Sequence, residues 1–171
     1  MLQLWIRWLR HRWADDAVRQ LPSGLSDRLA AHVRRGERTH SGEIRVSIES
    51  ALPGSYLLQS AGMKTLVRQR AVDEFSRLRV WDTEYNNGVL IYLCLAERAI
   101  ELVADRGIQH KVDDTYWAEL IGTLGESLQA GRWETGLCTA IDAVSQTLQT
   151  HFPLASGQHN PNELSDTPSI R

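Results

Sequence analysis

The stretch Val80-Trp81-Asp82-Thr83-Glu84-Tyr85-Asn86-Asn87-Gly88-Val89-Leu90-Ile91-Tyr92-Leu93-Cys94-Leu95, continued by Arg98-Ala99-Ile100-Glu101-Leu102-Val103-Ala104-Asp105-Arg106-Gly107-Ile108, decides the fold. A polar, acidic loop over Asp82–Asn87 feeds an uninterrupted apolar run, Val89–Leu95. Such a run predicts a central strand covered on both faces. A turn at Ala96-Glu97-Arg98 follows. In the return run, Ile100, Leu102 and Ala104 alternate with Ala99, Glu101, Val103 and Asp105, the pattern of a less buried neighbour. The pair reads as a strand hairpin with its polar residues gathered at one end.

Upstream, Glu43-Ile44-Arg45-Val46-Ser47-Ile48-Glu49 alternates strictly and predicts a strand with one wet face. Pro53-Gly54 ends it. A helix is expected from about Leu57 to Leu78, anchored by Leu66, Val67, Val72, Phe75 and Leu78. Its basic residues Lys64, Arg68, Arg70, Arg77 and Arg79 read as a solvated face. Strand, helix, strand implies a right-handed crossover, with the first strand parallel to Gly88–Leu95. Ser23 or Ser26 is expected to cap an earlier helix running to about Arg35. Downstream, Asp113 or Asp114 should cap a helix reaching about Ala130, and another follows from about Glu134 to His151. The organisation is therefore an N-terminal segment over 1–20, one α/β domain over 21–153, and a tail over 154–171. The tail is rich in Ser, Pro, Asn and Gly and predicts disorder.

The first 20 residues hold three of the six tryptophans, Trp5, Trp8 and Trp13. On a helix these share a broad apolar face with Leu2, Leu4, Ile6 and Leu9, while Arg7 and Arg10 lie opposite. A basic, Trp-rich amphipathic segment suits a membrane surface, and equally a terminal helix docked on its own domain or on a protein partner. Arg7, Arg10 and Arg12 interrupt the apolar centre that a secretory signal needs. No run reaches the roughly 18–20 apolar residues of a membrane span. The two cysteines, Cys94 and Cys138, read as buried thiols of a reducing compartment. The expected location is cytoplasmic, peripheral to a membrane if the N-terminal segment attaches there. A net charge of −2 gives no electrostatic case for nucleic acid as a partner.

If the first two strands are parallel and the next pair forms a hairpin, then His40, Ser41, Glu43, Asp82–Asn87 and Asp105-Arg106 gather at one sheet edge. Asp82, Glu84, Asn86, Asn87 and Asp105 are hard oxygen donors, which suit Ca²⁺ or Mg²⁺. The same residue types also serve plain turn chemistry, and both readings stand. There is no phosphate-binding loop, dinucleotide fingerprint or zinc-ligand spacing.

The alternating strand Gly42–Ile48, the long crossover helix, Asn86-Asn87-Gly88-Val89-Leu90-Ile91, the return strand Arg98–Val103 and Gly131-Arg132-Trp133-Glu134-Thr135-Gly136-Leu137 together resemble the TPM domain family. The resemblance spans about Ser23 to His151. It implies a three-layer α/β/α sandwich with a short mixed sheet. It also implies acid-phosphatase-like activity, bound divalent cations, or assembly of membrane complexes. The family usually has Asp-Asn-Gly-Val at the start of the central strand, and here Asn86 replaces the Asp. Asp105, in Ala104-Asp105-Arg106-Gly107, could restore a carboxylate. Two functions follow. One is a binding or assembly module with a protein partner, seated at a membrane through Trp5, Trp8, Trp13, Arg7 and Arg10. The other is a phosphomonoester hydrolase. There Asp82, Glu84, Asn86 and Asp105 would hold Ca²⁺ or Mg²⁺, and Arg106 would bind phosphate.

Overall fold

The computed structural model describes residues 18–19 and 21–171. The Trp/Arg segment over 1–20 lies almost wholly outside them. So do Trp5, Trp8, Trp13, Arg7 and Arg10.

The chain runs α1 (Leu25–Gly36), β1 (Ile44–Glu49), α2 (Gly54–Leu57), α3 (Met63–Arg77), β2 (Val89–Cys94), β3 (Ala99–Ala104), α4 (Arg106–Gln109), α5 (Asp114–Gln129), α6 (Trp133–His151) and β4 (Ser169–Ile170). The sheet order is β3-β2-β1-β4. β1 lies parallel to β2, pairing Ile44 with Val89 and Glu49 with Cys94. β2 and β3 form the antiparallel hairpin, with Val89 opposite Ala104. All six residues of β2 are buried. β3 is only partly covered, as its alternation predicts.

Two apolar layers enclose the sheet. On one face Ile44, Val46, Ile48, Val89, Ile91, Leu93 and Leu102 pack against α1, α5 and α6. On the other, Leu90, Tyr92, Cys94 and Val103 pack against α2 and α3. A three-layer α/β/α sandwich with a mixed sheet results. Each large side chain taken out of water stabilises it by about 2 kcal/mol.

Local chemistry sets the element ends. Asp113 caps α5, its carboxylate accepting from Thr115 N at 2.9 Å. Gly88 admits the loop over β2, since a Cβ there would collide with the Val80 carbonyl.

The structure corrects several expectations. Neither Ser23 nor Ser26 caps α1. Gly24 occupies that position with φ +69° and no side-chain bond. The helix expected from about Leu57 begins only at Met63, because residues 58–62 form a turn after the short α2, which ends at Leu57. Val72 is 41% exposed and anchors nothing. β1 has no wet face, since Arg45, Ser47 and Glu49 are as buried as its apolar residues. Arg70 is likewise not a solvated residue, its side chain being 11% exposed.

The predicted disorder of 154–171 is also corrected. This segment forms a strap along the outer edge of β1 and ends in β4, where Ser169 and Ile170 pair in parallel with Ser47 and Ile48. Composition predicted disorder because the strap is held by polar contacts, which hydrophobic periodicity does not register. Among the described residues no helix is long and apolar enough to cross a membrane.

Candidate functional site

The topology brings the expected residues to one sheet edge. The start of β1, the start of β2 and the end of β3 meet there, through Val89 N to Glu43 O at 2.9 Å and Asp105 N to Gly88 O at 2.9 Å. Asn86 adopts φ +51°, a left-handed conformation that Asn tolerates better than most residues. Its carbonyl accepts from Gly107 N at 2.8 Å. Gly107 permits this approach, because a Cβ would sit 2.6 Å from Asn86 O. Asn87 is fully buried, and its Nδ2 donates to Ser41 Oγ at 3.2 Å.

The residues expected to hold a cation have separate engagements. Asp82 is half-exposed and pairs with Arg79. Glu84 is exposed, and its backbone N–H donates to the Glu163 carboxylate at 3.2 Å. Asn86 Oδ1 accepts from the Arg106 guanidinium at 3.3 Å. Asp105 Oδ1 caps α4 by accepting from Arg106 N at 2.7 Å. No group of three or more His, Cys, Asp or Glu among the described residues is arranged to hold a metal ion. Two buried oxygens at this edge nevertheless lack a donor, Asn87 Oδ1 and Asp105 Oδ2. Either could meet a cation.

His40 stands beside them, fully buried. Its Nδ1 donates to Gly42 O at 3.0 Å, which leaves Nε2 the unprotonated nitrogen, without a partner. Burial lowers its pKa to about 4, so the ring is neutral at physiological pH.

Two charged clusters on the strap side were not foreseen. In the first, Arg70 grips Glu49 in a two-point contact, Nε to Oε2 at 2.9 Å and Nη2 to Oε1 at 2.6 Å. Arg70 also pairs with Glu74, which Arg77 Nη2 reaches at 2.8 Å. Tyr92 donates its hydroxyl to Glu49 Oε2 at 2.7 Å. Arg171 of the strap adds a cation, 3.0 Å from Glu49 and in contact with Glu74.

The second cluster holds Glu37, Glu43, Arg45 and Asp166, each at least nine-tenths buried. Glu43 receives the strap, its two oxygens accepting from Glu163 N at 3.1 Å and Leu164 N at 3.3 Å. Glu37 accepts from Ile44 N at 2.8 Å. Burial, then the neighbouring charge of Glu43, pushes the Glu37 carboxyl up to about 9. Burial likewise raises Glu43 to about 7. Asp166 accepts from Arg34 Nε at 2.9 Å. Arg45 Nε and Nη1 are buried without hydrogen-bond partners. A sequence signal for these clusters existed. Glu43, Arg45, Ser47 and Glu49 recur every second residue, and the crossover helix offers Arg70, Glu74 and Arg77 at turn spacing. Matching the two stripes would have found the first cluster.

Comparison with known proteins adds three findings. The TPM domain model matches residues 16–147. No curated protein matches the chain. Among solved structures, the chain is similar to the BA42 protein of the psychrophilic bacterium Bizionia argentinensis, determined by NMR. That pair shares 26% identity and a TM-score of 0.71, over 89% of this chain and 96% of the other. The fold, the Asn-Gly start of the central strand and a family match across most of the sandwich agree: this chain belongs to the TPM domain family.

Proposed function

We propose that the chain is a binding or assembly module. A protein partner is its ligand, and its Trp5, Trp8, Trp13, Arg7 and Arg10 segment attaches it to a membrane surface from the cytoplasmic side. One observation carries the binding role. The polar groups at the sheet edge are already committed to protein partners, Asp82 to Arg79, Asn86 to Arg106 and Asp105 Oδ1 to the α4 backbone. Such commitments hold a surface rigid and leave little free for chemistry. The amphipathic pattern of the first 20 residues supports the membrane contact. Vesicle pelleting of the full chain tests that contact. Wild type should sediment with anionic vesicles, and the triple substitution Trp5→Ser, Trp8→Ser, Trp13→Ser should stay in the supernatant. Equal sedimentation of the two rules the attachment out.

A second reading is a divalent-cation-dependent phosphomonoester hydrolase. It is favoured by the two donor-free buried oxygens, Asn87 Oδ1 and Asp105 Oδ2. Asp105 and Asn87 would hold Ca²⁺ or Mg²⁺, the ion would polarise a phosphoryl oxygen, and Arg106 would steady the phosphate. The full set Asp82, Glu84, Asn86 and Asp105 fits less well, given its existing partners. Phosphatase turnover measured with Mg²⁺, Ca²⁺ or chelator decides. Chelation and Asp105→Ala should each reduce turnover at least about tenfold on this reading. Turnover indifferent to both removes it.

A further inference from the structure

The outer edge of β1 is only partly used by the strap that covers it. Of six residues in β1, Ser47 and Ile48 alone pair with β4. The pairing continues for one step through Arg171, whose N–H donates to Ile48 O at 2.9 Å and whose carbonyl accepts from Ser50 N at 2.6 Å. In the other direction it stops before Thr167, whose N–H turns instead to Ser165 Oγ at 3.3 Å. Two or three ladder steps are few for a strand that spans the whole sheet.

The register defines what a better occupant would carry. Ser169 faces Ser47 and Ile170 faces Ile48. The next position, Arg171, faces Glu49, and its guanidinium lies against Glu49 and Glu74. Extended backwards with the same register, the position opposite Arg45 is Thr167, an exposed residue with no charge. Arg45 is 7% exposed, and its Nε and Nη1 have no hydrogen-bond partner. A buried guanidinium left short of acceptors is costly, and an acidic residue at that position would satisfy it. At its C-terminal end the strap can lift from β1 and leave each carboxylate with a cation, since Glu49 keeps Arg70 and Glu74 keeps Arg70 and Arg77.

We propose that the β1 edge is a docking site for an extended segment of another protein, and that the strap holds the place until such a segment displaces it. The segment pairs in parallel with β1 and carries an acidic residue facing Arg45. Three and four positions later come an aliphatic residue facing Ile48 and an arginine facing Glu49, with no proline between. Strand addition of this kind draws affinity from the backbone ladder and specificity from alternate side chains. Because the strap competes in cis, only a segment that makes the additional contacts binds well. The inference rests on the binding-module reading and names the surface that reading requires. It does not involve the membrane contact, so vesicle pelleting and peptide binding fail independently.

Fluorescence anisotropy with a labelled peptide Ser-Glu-Val-Ser-Ile-Arg tests it on the full chain. Arg171→Glu places a carboxylate against Glu49 and Glu74 and opens the edge, and Ser169→Pro opens it by removing a ladder amide. Hydrogen exchange at Ser50, whose amide loses its acceptor, verifies the opening. The opened chains should bind the peptide about tenfold more tightly than wild type. A peptide with Lys in place of Glu should bind about tenfold more weakly, and Arg45→Met in the chain should abolish that preference. No binding to either opened chain, or equal binding of the two peptides, overturns the proposal. A wild-type dimer in sedimentation that disappears in Arg171→Glu would assign the edge to the strap of a second copy and overturn it as well.

Discussion

Glu74 shows what single residues decide here. It is fully buried, and it binds Arg70, Arg77 and Arg171 at once. Burial alone would raise its pKa, but the hydrogen bonds from Arg77 and Arg171 outweigh that and hold it below the usual range. Removing one partner of a buried ionic cluster costs more than the cluster's net contribution, because the remaining charges stay desolvated. Glu74→Ala should therefore lower stability by about 3–5 kcal/mol, read as a drop in the urea midpoint. Gln at the same position keeps the shape and one acceptor, and should cost less. Hydropathy alone does not mark this residue as buried, because it sits in a helix that is otherwise strongly charged on its outer face; only its turn spacing with Arg70 and Arg77, matched to the polar stripe of β1, points to it. Alternation in β1 located the polar residues correctly. It could not say whether water or arginine would meet them.

Between elements, the strap is fastened to the end of α1 and the start of β1 by carboxyl groups whose protonation matters. Glu37 is neutral in the folded chain up to about pH 9, whereas an unfolded glutamate ionises near 4.5. Glu43, raised to about 7, behaves in the same direction. The folded state thus binds more protons than the unfolded state between these values. The stability these two carboxyls contribute is full below about pH 4.5 and falls as pH rises toward 9. Glu74 acts with the opposite sign below that window, and buried His40, lowered to about 4, acts with the opposite sign between about 4 and 6.5 and offsets one of the two carboxyls there. Thermal midpoints measured from pH 5 to 9 should decline in wild type and decline less in Glu37→Gln, which keeps a neutral side chain at that position. The same segment explains what was hard to read at the level of elements. The hairpin, the crossover and helices α5 and α6 were legible because each repeats apolar residues at its own period. α3 was legible in outline, but the break before it was not, since Ser60-Ala61-Gly62 is brief. The strap was illegible because Pro, Asn and Ser anchor it through single hydrogen bonds, such as Asn160 Nδ2 to His40 O at 3.0 Å and to Gly42 O at 3.1 Å.

For the whole molecule, the sandwich follows from one argument. A central strand apolar on both faces needs a layer on each side, and the order of periodic segments supplies them. The sheet edge where the polar residues gather followed from the same topology, before any side chain was placed. The partners those residues choose did not follow. Asp82, Asn86 and Asp105 share an edge yet turn to Arg79, Arg106 and the α4 backbone, while Glu84 is held through its backbone N–H to Glu163. Sequence order places residues in a neighbourhood, while the competition among acceptors within it is decided by distances that only three dimensions provide.

The latch between Glu43 and Glu163 joins residues 120 positions apart. That separation has a consequence during synthesis. A ribosome adding about 5–20 residues per second completes β1 roughly 6–24 seconds before it completes the strap. Throughout that interval a nascent chain carries an open strand edge, with Glu43 and Arg45 uncovered beside apolar neighbours. Unpaired edges of this kind recruit other strands, including those of adjacent nascent copies. The vulnerable interval of this protein is therefore set by translation speed, and slow codons between α6 and β4 would lengthen it.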